Sequence, residues 1–110
     1  MKVSDVRTIA LGFPEAREKP FDGTPGFYVR RNLFAHVLDD DQVAVYVAFD
    51  RRDAFLEEEP EVFRVTPRYM TEPFVIVRLG AIERKRLDEV LFEAWKRCAP
   101  PGLSRHMTRS

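Results

Sequence analysis

The sequence predicts one α+β domain, in which helices pack on one face of an antiparallel β-sheet. Three short apolar segments rich in Val, Phe and Tyr follow one another between Phe27 and Phe49, with turn-sized gaps that are typical of a meander. A stripe of apolar residues at helical spacing runs from Leu87 to Cys98 and is long enough to cover a sheet face. The length of 110 residues suffices for a single hydrophobic core.

The composition indicates a globular protein without a strong electrostatic field. Hydrophobic residues make up 45% and charged residues 33% of the chain, and 18 basic side chains balance 18 acidic ones. A net charge of zero means that binding of a polyanion requires a local patch. The single cysteine, Cys98, cannot form an internal disulfide. Because no signal peptide or long apolar segment is visible either, we expect a cytoplasmic protein without a membrane span.

The N-terminal quarter predicts a helix followed by a long loop. Ser4 is the expected N-cap, Val6 and Ile9 fall on a buried stripe, and Gly12 suits the left-handed position that ends a helix. The segment from Glu15 to Gly26 contains two Pro and two Gly among alternating charges. This pattern predicts a loop that crosses the molecule before the sheet begins.

The central meander predicts three strands, Phe27 to Arg30, Leu33 to Leu38 and Val43 to Phe49. Asn32 favours the left-handed conformation of a tight hairpin turn, and the three aspartates from Asp39 to Asp41 form the next turn.

The second half predicts a helix, two strands and the long final helix. Asp50 is the expected cap of the second helix, and Pro60 ends it. A short edge strand, a loop and a last strand follow, at Val62 to Val65, Thr66 to Pro73 and Phe74 to Leu79. The domain is expected to span residues 1–99, and residues 100–110 to form a flexible C-terminal tail.

The order and spacing of several short motifs resemble the MmcQ/YjbR family, over roughly Val6 to Ala99. The motifs are Gly12-Phe13-Pro14-Glu15, Gly23-Thr24-Pro25-Gly26-Phe27, Leu33-Phe34-Ala35, Glu59-Pro60-Glu61-Val62-Phe63 and the helix from Leu87 to Trp95. The resemblance implies a frataxin-like (CyaY-like) fold. It also implies DNA binding, since members are described as proposed DNA-binding proteins with a double-wing arrangement. We therefore expect double-stranded DNA as the partner. We also expect a non-enzymatic protein, because no catalytic constellation is visible in the sequence.

The starts of the second and last helices carry clusters of cations. Relatives tend to be acidic at the start of the last helix, so its three consecutive cations depart from the family pattern. A helix start offers free backbone N–H groups, and flanking cations make it suitable for an anion. The alternative is a solvated face whose charge is offset by neighbouring carboxylates. The predicted phosphate-binding residues are Arg51, Arg52, Arg84, Lys85 and Arg86.

The sheet face opposite the helices is the second candidate surface. If the helices cover Phe27 and Val45, strand alternation sends Tyr28, Arg30 and Tyr46 to the other face, with His36 or Arg78 as further members. Aromatic and basic side chains on an open sheet are the groups that stack on bases and contact phosphates. The alternative is that these side chains serve packing alone.

No residue pattern predicts a metal, a cofactor or a catalytic centre. The aspartates from Asp39 to Asp41 supply too few ligands for a cation loop, and His36 and His106 lack partners at ligand spacing. Cys98 falls on the apolar stripe of the last helix, as a core residue would. A protein–protein or small-ligand binding module remains the alternative function.

Overall fold

A computed structural model describes residues 1–104, as a six-stranded antiparallel sheet with helices packed on it. The strand order is β1-β2-β3-β4-β6-β5. A 3₁₀ turn at Pro67–Tyr69 lies between β5 and β6. The elements are α1 (Val3–Leu11), β1 (Ala16–Phe21), β2 (Thr24–Val29), β3 (Asn32–Asp39), β4 (Gln42–Tyr46), α2 (Phe49–Glu58), β5 (Phe63–Arg64), β6 (Phe74–Arg78), α3 (Arg84–Cys98) and α4 (Pro101–Ser104).

The main core lies between the sheet and the helices, on the side we call the helix face. The apolar side chains that alternation assigned to this face, Phe27 and Val45 among them, are fully buried. The α3 helix contributes the predicted stripe, whose members up to Trp95 are buried, whereas Cys98 is only partly buried. Each large apolar side chain buried in this way stabilises the fold by about 1.5–3 kcal/mol.

A β-bulge in β3 changes which side chains reach the core. Phe27 pairs with Ala35 whereas Tyr28 pairs with Leu33, so that Phe34 is the extra residue. Phe34 and Ala35 are both buried in the main core, and the Phe34 ring centroid lies 6.4 Å from that of Phe13. Leu33 therefore shares the face of Tyr28, which is the opposite face of the sheet.

The predicted loop from Glu15 to Gly26 is wrong, because this segment forms β1 and the start of β2. The two strands pair through a turn at Asp22 and Gly23, which have φ angles of 51° and 79°. These angles suit a two-residue hairpin turn, for which Asp-Gly is a preferred sequence. β1 lies at the sheet edge, where charged residues and a proline are tolerated, so it lacks the apolar alternation of an inner strand.

The predicted caps of α1 and α2 also differ from the structure. α1 begins at Val3, where the Asp5 carboxylate accepts a hydrogen bond of 2.8 Å from the Lys2 backbone N–H. Gly12 is right-handed, with φ of −78°. α2 begins one residue before Asp50, at Phe49, which had been predicted to end a strand.

The turn between β2 and β3 places its left-handed residue at Arg30, with φ of 55°, and not at Asn32. Asn32 begins β3, and its amide donates a hydrogen bond of 2.9 Å to the carbonyl of Cys98. This bond satisfies one of the carbonyl groups that the end of α3 leaves free.

The predicted C-terminal tail begins with a helical turn, α4, and its residues 105–110 lie outside the described residues. Among the helices within residues 1–104, none has the length and apolar character needed to cross a bilayer.

Candidate nucleic-acid interface

The sheet face away from the helices, which we call the second face, is covered over its centre. One residue from each of β2, β3, β4 and β6 lies side by side here: Gly26, His36, Ala44 and Ile76. Above them pack Phe21 from β1 and the loop between β5 and β6, residues 65–73, which we call the Tyr69 loop. A small apolar cluster forms there around Ala44, Tyr69 and Ile76. The prediction of an uncovered face is therefore wrong at its centre.

His36 is buried beneath this cover and is not a surface residue as the sequence suggested. Only 2% of it is exposed. Its Nε2 lies 2.9 Å from the Tyr69 hydroxyl, and the Phe21 ring centroid lies 4.6 Å from its own. Its Nδ1 has no hydrogen-bond partner within residues 1–104. Burial, assisted by the positive charge of Arg68, lowers the pKa of His36 below its ordinary value. The backbone of Val37 opposes this shift, and the charges of Asp22 and Glu72 oppose it less.

This burial predicts that acid destabilises the fold. In the unfolded chain the pKa of His36 returns to about 6.5, so below that pH the unfolded state binds a proton that the folded state resists. The contribution of neutral His36 to stability is complete above about pH 6.5 and is lost as the pH falls towards its lower folded pKa. Urea denaturation at a series of pH values should show this decline, and His36→Phe should flatten it. An unchanged slope in the variant would assign the decline to the carboxylates.

Arg52 is not available to a phosphate, because it is buried between α2 and the Tyr69 loop. Its Nη1 donates hydrogen bonds of 2.6, 2.9 and 3.2 Å to the carbonyls of Tyr69, Glu72 and Phe74. Its Nη2 donates one of 3.2 Å to the carbonyl of Met70. The guanidinium therefore holds the loop in place, which removes Arg52 from the predicted phosphate-binding set.

The other predicted arginines are held by carboxylates. Arg51 pairs with Glu93 at 3.1 Å, and Arg84 pairs with Asp5 at 3.3 Å. These partners come from other helices, and they neutralise the charge that the helix starts present. Arg86 also pairs with Glu59, at 2.7 Å, and Arg30 pairs with Glu15, at 3.0 Å.

Lys85 differs from these arginines, since it is exposed and forms no ion pair with another described residue. The cluster at the start of α3 thus retains one cation that a phosphate can reach without breaking an existing pair.

Beside the covered centre, a strip of aromatic and basic side chains runs from the second face to the end of α3, which packs on the helix face. We call it the tyrosine strip: Arg17, Lys19, Tyr28, Tyr46 and Arg97. Arg17 pairs directly with Tyr28 across the β1–β2 ladder, and the Lys19 Nζ lies 5.6 Å from the centroid of the Tyr28 ring. The Arg97 Cζ lies 5.5 Å from the centroid of the Tyr46 ring. Cations at such distances are attracted to the faces of the rings.

Both tyrosines are half-buried, and β3 lies between their strands. Two strand spacings place their backbones about 10 Å apart. The Phe74 ring packs edge-on against Tyr46, with 5.7 Å between the centroids, and so limits its orientation. The three cations of the strip form no ion pair with other residues in the range 1–104. Such a strip can stack on flat rings and attract phosphates.

Sequence reasoning placed Tyr28 and Tyr46 on this face but missed their cations. Arg17 and Lys19 were assigned to a loop, although their spacing of two residues puts both on one face once β1 is recognised. Arg97 reaches the strip from the end of α3, and no local pattern in the sequence signals that contact. Arg30, predicted for this face, lies instead in the β2–β3 turn.

The comparisons with known proteins agree with this architecture. The model of the YjbR family matches residues 11–97. The chain belongs to the YjbR family. The resemblance noted from the sequence motifs is thereby confirmed. The crystal structure of Deinococcus radiodurans protein DR2400, a DUF419 domain, has the same α+β fold, with a TM-score of 0.71 at 22% identity. The superposition covers 86% of this YjbR chain and 76% of the Deinococcus chain.

Two mycobacterial relatives match part of the YjbR chain. Uncharacterized protein Mb2600 of Mycobacterium bovis and Uncharacterized protein Rv2570 of Mycobacterium tuberculosis are each 42% identical to it over 50 residues. The match covers 46% of this chain and 39% of each relative, so the chain spans well under half of the length of these proteins.

We searched residues 1–104 of this YjbR chain for side chains that could bind a metal ion or act as a nucleophilic thiol. Within residues 1–104, no three His, Cys, Asp or Glu side chains are grouped so that they could hold a metal ion. Burial raises the pKa of the Cys98 thiol to about 11, against a small opposing effect of Arg97. The thiol is therefore protonated at neutral pH, whereas a nucleophilic cysteine needs a lowered pKa.

Proposed function

We propose that this YjbR-family chain binds DNA through the tyrosine strip. The observation that carries the proposal is the pairing of each half-buried tyrosine ring with a cation that has no carboxylate partner among the described residues. Aromatic rings stack on bases of any sequence, and flanking cations attract the phosphates between them. The description of the MmcQ/YjbR family as proposed DNA-binding proteins supports DNA as the ligand.

The strip is favoured over the helix starts because its cations are free to change partner. A phosphate at Arg51, Arg84 or Arg86 has to compete with a carboxylate already in place. A phosphate at Lys19 or Arg97 gains a cation that has no carboxylate partner within residues 1–104, at the edge of an aromatic surface. Lys85 remains as an additional contact at the start of α3, where the sequence first suggested phosphate binding.

The test is fluorescence anisotropy with a labelled DNA strand, alone and in duplex form, at increasing salt. We expect K19Q/R97Q to weaken binding about tenfold at low salt, the equivalent of about 1.4 kcal/mol. Losing two phosphate contacts should also reduce the slope of log affinity against log salt by about 1.4 for the single strand and 1.8 for the duplex. Y28L/Y46L should weaken binding with little change in slope.

R51Q/R84Q is the matched control, since it removes the same charge from the starts of α2 and α3, where both arginines already pair with carboxylates, and leaves the strip intact. A larger effect of this control than of K19Q/R97Q would transfer the interface to the helix starts. Absence of binding by the unmodified chain at low salt would overturn the DNA proposal itself.

A further inference from the structure

We propose that Phe49 and Met70 form a docking surface for a partner protein, and that the docked segment carries a large apolar side chain flanked by lysines or arginines. Phe49 is 45% exposed and Met70 is 60% exposed, the two highest values among the large apolar side chains within residues 1–104. Phe49 belongs to α2 and Met70 belongs to the Tyr69 loop, so the two residues are more than 20 positions apart in the chain. We call this pair, with its surroundings, the Phe49 surface.

The two residues are held together by the same buried arginine. The Cζ atom of Arg52 lies 4.8 Å from the centroid of the Phe49 ring, and its Nη2 donates a hydrogen bond to the Met70 carbonyl. Three further carbonyls of the loop and of Phe74 fix the same guanidinium. The Phe49 ring and the backbone at Met70 are therefore positioned before any partner arrives, which reduces the entropy cost of binding.

The chemistry of the pair is that of a protein contact. A fixed aromatic ring is a frequent anchor of protein interfaces, and a neighbouring flexible methionine adapts its shape to the partner. Folding leaves both side chains accessible to solvent, and a partner that covers them gains the free energy of their burial.

The rim of the Phe49 surface is acidic, and this determines the charge of the partner. Asp53 and Glu57 follow Phe49 by four and eight residues along α2 and so lie on the same side of the helix. Asp50 is adjacent to Phe49, and Glu72 follows Met70 in the loop. All four carboxylates are exposed, and none forms an ion pair with another of the residues 1–104.

The nearby cations are already engaged. Arg51 pairs with Glu93, and Arg68 pairs with Asp22 at 2.8 Å. An acidic rim attracts a cationic segment and repels DNA, so this inference is independent of the proposed function.

The test uses a defined probe, a fluorescent helical peptide of leucine and lysine about 14 residues long, with a leucine–glutamate peptide as its counterpart. We expect F49S/M70S to weaken binding of the lysine peptide about tenfold. L11S is the matched control because Leu11 is 40% exposed at the end of α1, far from Phe49 in the chain, and it should leave affinity unchanged. D50N/D53N should weaken binding and reduce its dependence on salt.

Equal affinity of F49S/M70S and the unmodified chain for the lysine peptide would overturn the inference. Equal affinity of the unmodified chain for both peptides would overturn the assignment of a cationic partner. Thermal denaturation should show that F49S/M70S is folded, since both positions are exposed, and F49L/M70L provides a second pair that retains apolar character. DNA affinity of F49S/M70S should be unchanged, which separates this result from a failure of the tyrosine strip.

Discussion

Replacing Arg52 by Gln should lower the free energy of unfolding by about 3 kcal/mol, because several partly buried carbonyls lose their donor together. The guanidinium donates to the carbonyls of Tyr69, Met70, Glu72 and Phe74, and no single glutamine amide can reach all four. The Phe49 ring also loses the cation beneath it. Urea denaturation followed by circular dichroism measures the change.

Arg51 provides the comparison, since it is the neighbouring residue and carries the same charge. Its bond to Glu93 joins two exposed side chains, so Arg51→Gln should cost at most about 1 kcal/mol. Arg52→Lys should resemble Arg52→Gln, because an ammonium group lacks the planar fork that bridges several carbonyls. Equal effects at positions 51 and 52 would mean that the carbonyls of the Tyr69 loop are satisfied by water.

The difference between these neighbouring arginines illustrates what the sequence could not predict. Both follow the start of α2, and local patterning assigns both to a cationic helix start. Their partners are distant in the chain: Glu93 is 42 residues from Arg51, and the Tyr69 carbonyl is 17 residues from Arg52. Only the tertiary fold decides whether such a cation is buried, paired or free.

The parts of the fold that were predicted correctly have strong local signals. The segments of β3, β4 and β6 are short apolar runs between turns, and the stripe of α3 follows the spacing of a helix. β1 has no such pattern, because a charged edge strand has only one neighbour and is exposed along most of its length. The Asp22-Gly23 pair was the local signal that a hairpin starts there.

In the candidate site, too, the features with a local sequence signal were predicted and the others were not. Alternation placed Tyr28 and Tyr46 on the second face, because each lies next to a buried residue of a regular strand. Alternation also placed His36 on the second face, but it could not predict that His36 is buried. The residues that cover His36 are Phe21 and those of the Tyr69 loop. A segment that folds back over a sheet carries no periodic signal, so only a three-dimensional structure can reveal it.

Zero net charge is compatible with the two proposed binding surfaces, which have opposite sign. The tyrosine strip combines three cations with two aromatic rings, and the Phe49 surface combines four carboxylates with two apolar side chains. The net charge is the sum over both surfaces, so it reveals neither of them. The Tyr69 loop connects the two, because it covers the second face beside the strip and also carries Met70.

Replacing Trp95 by Ala should have the largest effect on stability, about 4 kcal/mol, because the cavity left in a close-packed core is only partly refilled. Trp95 is fully buried, and its ring centroid lies 5.8 Å from that of Phe13 and 5.9 Å from that of Phe92. Its indole N–H donates a hydrogen bond of 3.0 Å to the carbonyl of Pro14, which fixes the end of α3 against the segment after α1.

Trp95→Phe separates the two contributions, since it keeps an aromatic ring but removes the indole donor. We expect a loss of about 2 kcal/mol, made up of the unsatisfied Pro14 carbonyl and a smaller cavity. Urea denaturation measures both variants, and nearly equal losses would show that the hydrogen bond dominates over packing. Because Arg97 lies two residues beyond Trp95 and reaches Tyr46 from the same helix end, a folded Trp95→Phe protein should also bind DNA more weakly if α3 shifts. Unchanged DNA affinity would mean that Asn32, through its bond to the Cys98 carbonyl, is sufficient to hold that helix end in place.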